Sequence, residues 1–257
     1  MQVEMRIIEF LSKLAKSGKT FTFEEAHRIL QIERRYLRKV LYRFEKKGLI
    51  ERVSKGKYVI IPLEGEKGEY TLHEFIIGSL IVNPYAIAYW SALHHYGMTE
   101  QILSTVFIQT TSWKRKQEIE IFGVKYKIVR IKKDKFFGIR KEWIEDTQVN
   151  ITDKEKTIID CLDKPQYCGG IIEVAKALKQ GNFSIEQLSV YATKMGNSGV
   201  IRRLGYLCDL FNIPVELPKV DVKNYLYLDP TMPKKGFKNA KWRLIVNIEE
   251  KGFEELE

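Results

Sequence analysis

Apolar residues recur at Ile7, Ile8, Phe10, Leu11 and Leu14. That spacing predicts a helix over residues 3–16 with one face turned to a core, ended by Ser17-Gly18. Thr22 with Glu25 three positions on reads as a capping box, so a second, short helix runs to Leu30. A third helix covers residues 33–47, with Gly48 as its C-terminal glycine. Two β-rich runs follow, 49–53 and 58–62, around the Gly-containing turn Ser54-Lys55-Gly56-Lys57. They read as a hairpin. Helix, short helix, longer helix and hairpin are the parts of a winged helix-turn-helix.

Residues 63–70 are polar and punctuated by Gly65 and Gly68, which marks a linker between a domain of residues 1–62 and one of residues 71–257. In the second domain the pattern predicts helices over 72–82 and 85–96 and a strand over 104–110. A hairpin of 118–122 with 125–131 and a short strand over 136–139 come next. The chain then turns helical. A second capping box, Thr152 with Glu155, opens a helix to Leu162. Further helices follow Gly169-Gly170 to about residue 179, then over 184–194 and 197–211. Strands over 225–228 and 242–246 close the chain. Strands first and helices later predict an α+β fold, not an alternating one.

Charge sharpens this picture. The net charge is +10 over 257 residues, and residues 1–62 hold 15 Lys and Arg against 7 Asp and Glu. A concentrated basic region suits a polyanion, because each phosphate it neutralises releases condensed counterions. On the third helix Leu37, Val40, Leu41 and Phe44 share one side. Arg35, Lys39, Tyr42 and Lys46 share the other, flanked by Arg34 and Arg38. This is the helix that would enter a major groove, and signs do not mix on its outward face until Glu45. Lys55 and Lys57 sit at the hairpin tip. Arg34, Arg35, Arg38 and Lys39 are placed to reach base edges. Lys46, Lys55 and Lys57 are placed to hold phosphates. Double-stranded DNA is therefore the expected partner.

Signals for chemistry are sparse. The three cysteines are odd in number and form no CxxC, so neither a disulfide framework nor a zinc site is indicated, and a reducing cytoplasm fits. Adjacent His94 and His95 point about 100° apart on a helix and do not readily share a metal. Asp160 has Glu173 and Asp209 as conceivable partners for a Mg²⁺ site, but no pattern requires it. There is no P-loop and no GxGxxG after a strand. The Gly78-Ser79 pair is not followed by the acidic pair of a nucleotidyltransferase, since residues 81–97 contain no Asp or Glu. No catalytic residue, cofactor or metal is expected. No apolar run spans a bilayer, and the charged N-terminus is not that of a signal peptide.

The run Asn83-Pro84-Tyr85-Ala86-Ile87-Ala88-Tyr89-Trp90-Ser91-Ala92-Leu93 ends in His94-His95-Tyr96-Gly97. Val106-Phe107-Ile108 comes later, then Asp153-Lys154-Glu155-Lys156-Thr157-Ile158-Ile159-Asp160-Cys161-Leu162-Asp163, then Gly169-Gly170. With the N-terminal domain, these blocks resemble the AbiE-type antitoxins of bacteria and archaea, from abortive-infection type IV toxin–antitoxin systems. The resemblance spans nearly the whole chain. It implies a DNA-binding antitoxin that binds inverted repeats in its own promoter, represses it, and counteracts a nucleotidyltransferase-type toxin. A functional toxin partner without a stable complex, no membrane association, and a monomer or weak dimer are implied too. The alternative is a stand-alone transcriptional regulator whose C-terminal domain senses a ligand. An enzyme tethered to DNA is a third, weaker reading. From the family pattern, Trp113-Lys114-Arg115-Lys116 and Lys132-Lys133-Asp134-Lys135 are either an added nucleic-acid contact or exposed loop charges.

Overall fold

The computed structural model describes residues 2–61, 72–102, 104–248 and 253. The expected linker, 63–70, lies outside the described residues. The N-terminal part contains α1 (Gln2–Ala15), β1 (Thr20–Thr22), α2 (Phe23–Leu30), α3 (Arg34–Lys46), β2 (Ile50–Ser54) and β3 (Lys57–Ile60). The three strands form one antiparallel sheet in the order β1-β3-β2. β1 escaped the sequence reading because three residues are too few to show a period of two.

Local chemistry sets the boundaries of these helices. Thr22 accepts the amide of Glu25 at 3.1 Å, and the Glu25 carboxylate accepts the amide of Thr22 at 2.6 Å, so two of the orphan donors at the start of α2 are satisfied. Gln31, at φ 49°, ends α2 in the left-handed region. Gly48, at φ 68°, follows the C-cap of α3, where a side chain would be strained. Leu14, Phe21, Ala26, Leu37, Leu41, Phe44 and Ile50 close into one core.

The second part is α+β. It comprises α4 (Glu74–Ile81), β4 (Ala86–Ile87), α5 (Tyr89–His95), β5 (Thr105–Thr110), β6 (Glu118–Ile121), β7 (Val124–Arg130), β8 (Ile139–Ile144), β9 (Thr147–Thr152), α6 (Lys154–Asp163), α7 (Ile171–Gln180), α8 (Ile185–Lys194), α9 (Ser198–Leu210), β10 (Leu226–Tyr227), β11 (Phe237–Asn239) and β12 (Leu244–Val246). A six-stranded mixed sheet runs β6-β7-β5-β4-β9-β8, with β5/β7 and β4/β9 parallel. A small sheet, β10-β12-β11, lies late in the chain. α4 covers one face of the large sheet. Gly78 lets it sit close, since a Cβ there would stand 3.3 Å from the side chains of Ile87 and Ile108. The Gly78-Ser79 pair thus has a packing role, and the Ser79 hydroxyl donates to the carbonyl of Ile76. The core that includes Tyr89, Val129, Ile158, Leu162 and Leu204 fills the other face.

Three sequence expectations change here. Residues 85–96 are not one helix. Ala86–Ile87 is a strand wedged between β5 and β9, and Tyr89, at φ 55°, turns the chain sharply into α5. The strand expected over 136–139 begins only at Ile139 and forms a hairpin with β9 that the sequence reading did not find. The N-cap of α6 is Asp153, not Thr152. Asp153 accepts the amide of Lys156 at 2.8 Å, while the Thr152 hydroxyl pairs with that of Thr157 inside the core. Glu155 turns away and accepts the amide of Ser184.

The two parts share a wall. Ile50 and Tyr58 of the β2–β3 hairpin face the N-terminal core. Val53 and Val59 pack with Leu72, Phe75, Ile76 and Ile77 of the second part. Ser54 donates its hydroxyl to the carbonyl of Leu80 at 2.8 Å.

Candidate nucleic-acid interface

α3 has two faces. Leu37, Val40, Leu41 and Phe44 are buried, as their spacing predicts. Arg34, Arg35, Arg38, Lys39, Tyr42 and Lys46 are all exposed on the outer side. The β2–β3 hairpin stands beside this face, and between them lies an open groove of about 670 Å³. Arg34, Arg38, Tyr42, Lys55 and Lys57 line it, whereas Arg35, Lys39 and Lys46 lie outside it. Gly56, at φ 73°, makes the hairpin turn, and its carbonyl accepts the amide of Phe23 at 2.7 Å. That bond fixes the tip against the start of α2.

The groove is less uniformly basic than the sequence of α3 suggests. Glu24, from α2, reaches across and accepts from both terminal guanidinium nitrogens of Arg34. Ten residues separate the two, so no helical spacing announces the contact. The guanidinium carbons of Arg34 and Arg38 lie 5.4 and 5.8 Å from the centroid of the Phe23 ring. The ring holds both arginines, and the carboxylate holds Arg34 as well. Lys46 lies over the ring of Tyr42, its ammonium 5.7 Å from the centroid. Arg35 and Lys39 form no ion pair among the described residues. Arg52, absent from the sequence expectations, also lines the groove, and its Nε donates to the carbonyl of Ser54. Its place on β2, opposite Tyr58, becomes visible only once the strand register is known.

At the tip, partial burial lowers the pKa of Lys57, and the nearby charge of Lys114, from the second part, lowers it further. The tip is therefore a local concentration of positive charge that an anion would relieve.

Residues 9–61 match the AbiEi antitoxin family of transcriptional regulators. The resemblance read from the sequence is borne out over that segment, which takes in α2, α3, the hairpin and the second half of α1. Over almost the whole length, the fold matches the crystal structure of RV2827C protein from Mycobacterium tuberculosis. The TM-score is 0.63 at 14% identity, with 92% of this chain and 91% of that one covered. No curated protein matches the sequence.

Elsewhere the carboxylates considered for metal chemistry are apart, each with its own partner. Asp160 pairs with Lys156 inside the core. Glu173 accepts from Thr99 and Lys176. Asp209 accepts from Lys241 and the Trp242 indole. Among the described residues, no group of three or more His, Cys, Asp or Glu could hold a metal ion. Cys161, Cys168 and Cys208 are buried and free. His95 packs against the rings of Phe75 and Tyr96, while His94 is exposed. No described helix is long and apolar enough to cross a membrane.

Proposed function

We propose that the chain is a DNA-binding antitoxin that represses its own promoter. Residues 1–62 would form the DNA-binding domain, tethered through 63–70 to an antitoxin-type domain of 71–257. The observation that carries this reading is the exposed basic face of α3 beside a wing that carries Lys55 and Lys57, within a segment matching the AbiEi family. In the complex, α3 lies in the major groove. Arg35 and Lys39, which form no ion pair among the described residues, approach base edges first. Arg34 and Arg38 present their guanidinium groups from the Phe23 platform. Tyr42 and Lys46 face the flanking backbone, and Lys55 and Lys57 hold phosphates from the wing. Inverted repeats upstream of its own gene are the target, met by a monomer or weak dimer, one wing per half-site. The second domain counteracts a nucleotidyltransferase-type toxin without a stable complex. The setting is the cytoplasm, and the chain itself catalyses no reaction.

A reporter gene behind the chain's own upstream region tests repression. Wild-type protein is expected to silence it and the Arg35→Ala/Lys39→Ala variant to restore it. Equal expression with both proteins would defeat the reading. Rescue of growth from a co-expressed neighbouring toxin tests the second half.

One observation favours the alternative of a ligand-sensing regulator. A cleft of about 590 Å³ lies over Phe107, Lys125 and Lys127 of the sheet, walled by Tyr167. That size suits a small molecule. A metabolite retained in native mass spectrometry, and lost in Tyr167→Ala, would move the reading in that direction.

A further inference from the structure

The small late sheet, β10-β12-β11, carries charge of one sign. Residues 219–243 hold seven Lys and Arg against two Asp and Glu. One of the two acids, Asp229, is buried at the start of α7, where it accepts the amide of Ile171 at 2.6 Å. Leu228, Leu244 and Val246 seat the sheet on the core. Two neighbouring arginines of α9 fix it there. Arg202 donates to the carbonyls of Asn224, Trp242 and Arg243, and Arg203 to those of Leu162, Tyr227 and Leu228. On the outer face, the Lys238 ammonium lies 5.3 Å from the centroid of the Tyr225 ring, and the Arg243 guanidinium carbon 5.5 Å from it. β11 is an edge strand. Lys238 lies opposite Ile245 and Phe237 opposite Val246, so the two side chains leave opposite faces. Phe237 still stays 52% exposed, because it stands at the rim. Gly236 fixes that position, since any Cβ there would run into the Val246 carbonyl. Lys234, Lys235, Lys238 and Arg243 are exposed and form no ion pair among the described residues, whereas Lys241 is held by Asp209.

We propose that this rim is a binding site for single-stranded nucleic acid, with Phe237 as the stacking ring and Lys235, Lys238 and Arg243 as phosphate contacts. The occupant is a polyanion, because these cations have no acid paired among them. It is single-stranded, because the ring and the cations leave opposite faces of one edge. An unpaired base can turn over that edge onto Phe237 while its phosphates stay on the outer face. A base held in a duplex cannot turn away from its partner in this way. An acidic peptide would engage the lysines and leave the ring unused. The wing packs with α4 on the other face of the large sheet. The rim is therefore separate from the surface proposed to read the operator, and it needs no contact from α3.

The test uses full-length protein carrying Arg35→Ala/Lys39→Ala, so that the α3 face is silenced in every sample. To this parent are added Phe237→Ala, Phe237→Trp, or Lys235→Ala/Lys238→Ala. Fluorescence anisotropy follows binding of labelled single-stranded RNA, single-stranded DNA and duplex DNA of one mixed sequence, and of poly-glutamate, at several salt concentrations. Probes of about 16 units span the site. Phe237→Ala is expected to weaken the single strands about tenfold with the salt slope unchanged, and Phe237→Trp to bind them as the parent does. The double lysine variant is expected to make the slope shallower by about 1.4. Duplex and poly-glutamate should be indifferent to Phe237. The ratio of RNA to DNA affinity tells which single strand the rim prefers. No binding of either single strand, equal binding by the parent and Phe237→Ala, or poly-glutamate bound as tightly as the single strands would each overturn the site. None of these results bears on the operator reading, which rests on α3.

Discussion

Ser54, the last residue of β2, donates its hydroxyl to the carbonyl of Leu80, at the end of α4, across 2.8 Å. Around that bond Val53 and Val59 turn the back of the wing into part of the core of the second part. On the proposed function, a wing held on both sides would present its lysines to a phosphate with little ordering left to do.

A charge at Val59 should therefore separate the two halves. Val59 is 1% exposed, and Val59→Asp would place an unpaired carboxylate in an apolar wall. The expected loss is at least about 3 kcal/mol, against roughly 1 to 3 kcal/mol for Val59→Ala. In urea unfolding followed by circular dichroism, Val59→Asp should turn one transition into two. A single unshifted transition would mean that the wall does not couple the parts.

On the proposed function, Glu24 would act as a brake on the groove, because it holds Arg34 and sets a negative charge beside the expected phosphate path. Glu24→Gln is expected to tighten binding to random DNA severalfold and to narrow the margin by which the operator is preferred. Fluorescence anisotropy with paired operator and random duplexes measures both. Weaker binding to both would show that Arg34 needs its carboxylate to be positioned.

The Lys156–Asp160 pair is buried beneath the ring of Phe137, 4.8 Å from the Lys156 ammonium. Removing one partner strands the other charge. Asp160→Asn and Lys156→Met should each cost about 3 to 5 kcal/mol, and Lys156→Met/Asp160→Leu less than the two singles combined. Denaturant midpoints across the four proteins give the coupling. Strict additivity would mean that the pair is not one unit.

The same carboxyl predicts a pH effect. Burial pushes Asp160 up to about 6, against the opposing pull of Lys156. The folded chain then takes up this proton at a higher pH than the unfolded chain, whose aspartates titrate near 3.9. This group's stabilising contribution is full below the unfolded value and is lost as the pH rises through about 6. Between pH 7 and 5, wild type should gain stability relative to Asp160→Asn. A constant difference between the two would contradict this.

Much of the N-terminal part was legible because its signals are local. The Thr22–Glu25 box, the two faces of α3 and the turn at Gly56 each lie within a few residues of chain. What escaped was set by distance. Ala86–Ile87 looks helical in isolation and becomes a strand because β5 and β9 flank it. At the start of α6, Thr152 and Asp153 both suit an N-cap, and the choice falls to Asp153 because the Thr152 hydroxyl is taken up by Thr157 in the core. In the groove, the acidic character of Glu24 and the basic one of Arg52 arrive from other elements, so the face of α3 alone could not reveal them.

The most direct measurement is a titration of the protein on its own upstream DNA at two salt concentrations, with the Arg35→Ala/Lys39→Ala variant beside it. Tight binding that weakens steeply with salt, prefers the upstream DNA over random sequence, and collapses in the variant is the expected result. Equal affinity for random DNA, or a variant that binds like wild type, would contradict the assignment of α3 as the reading helix.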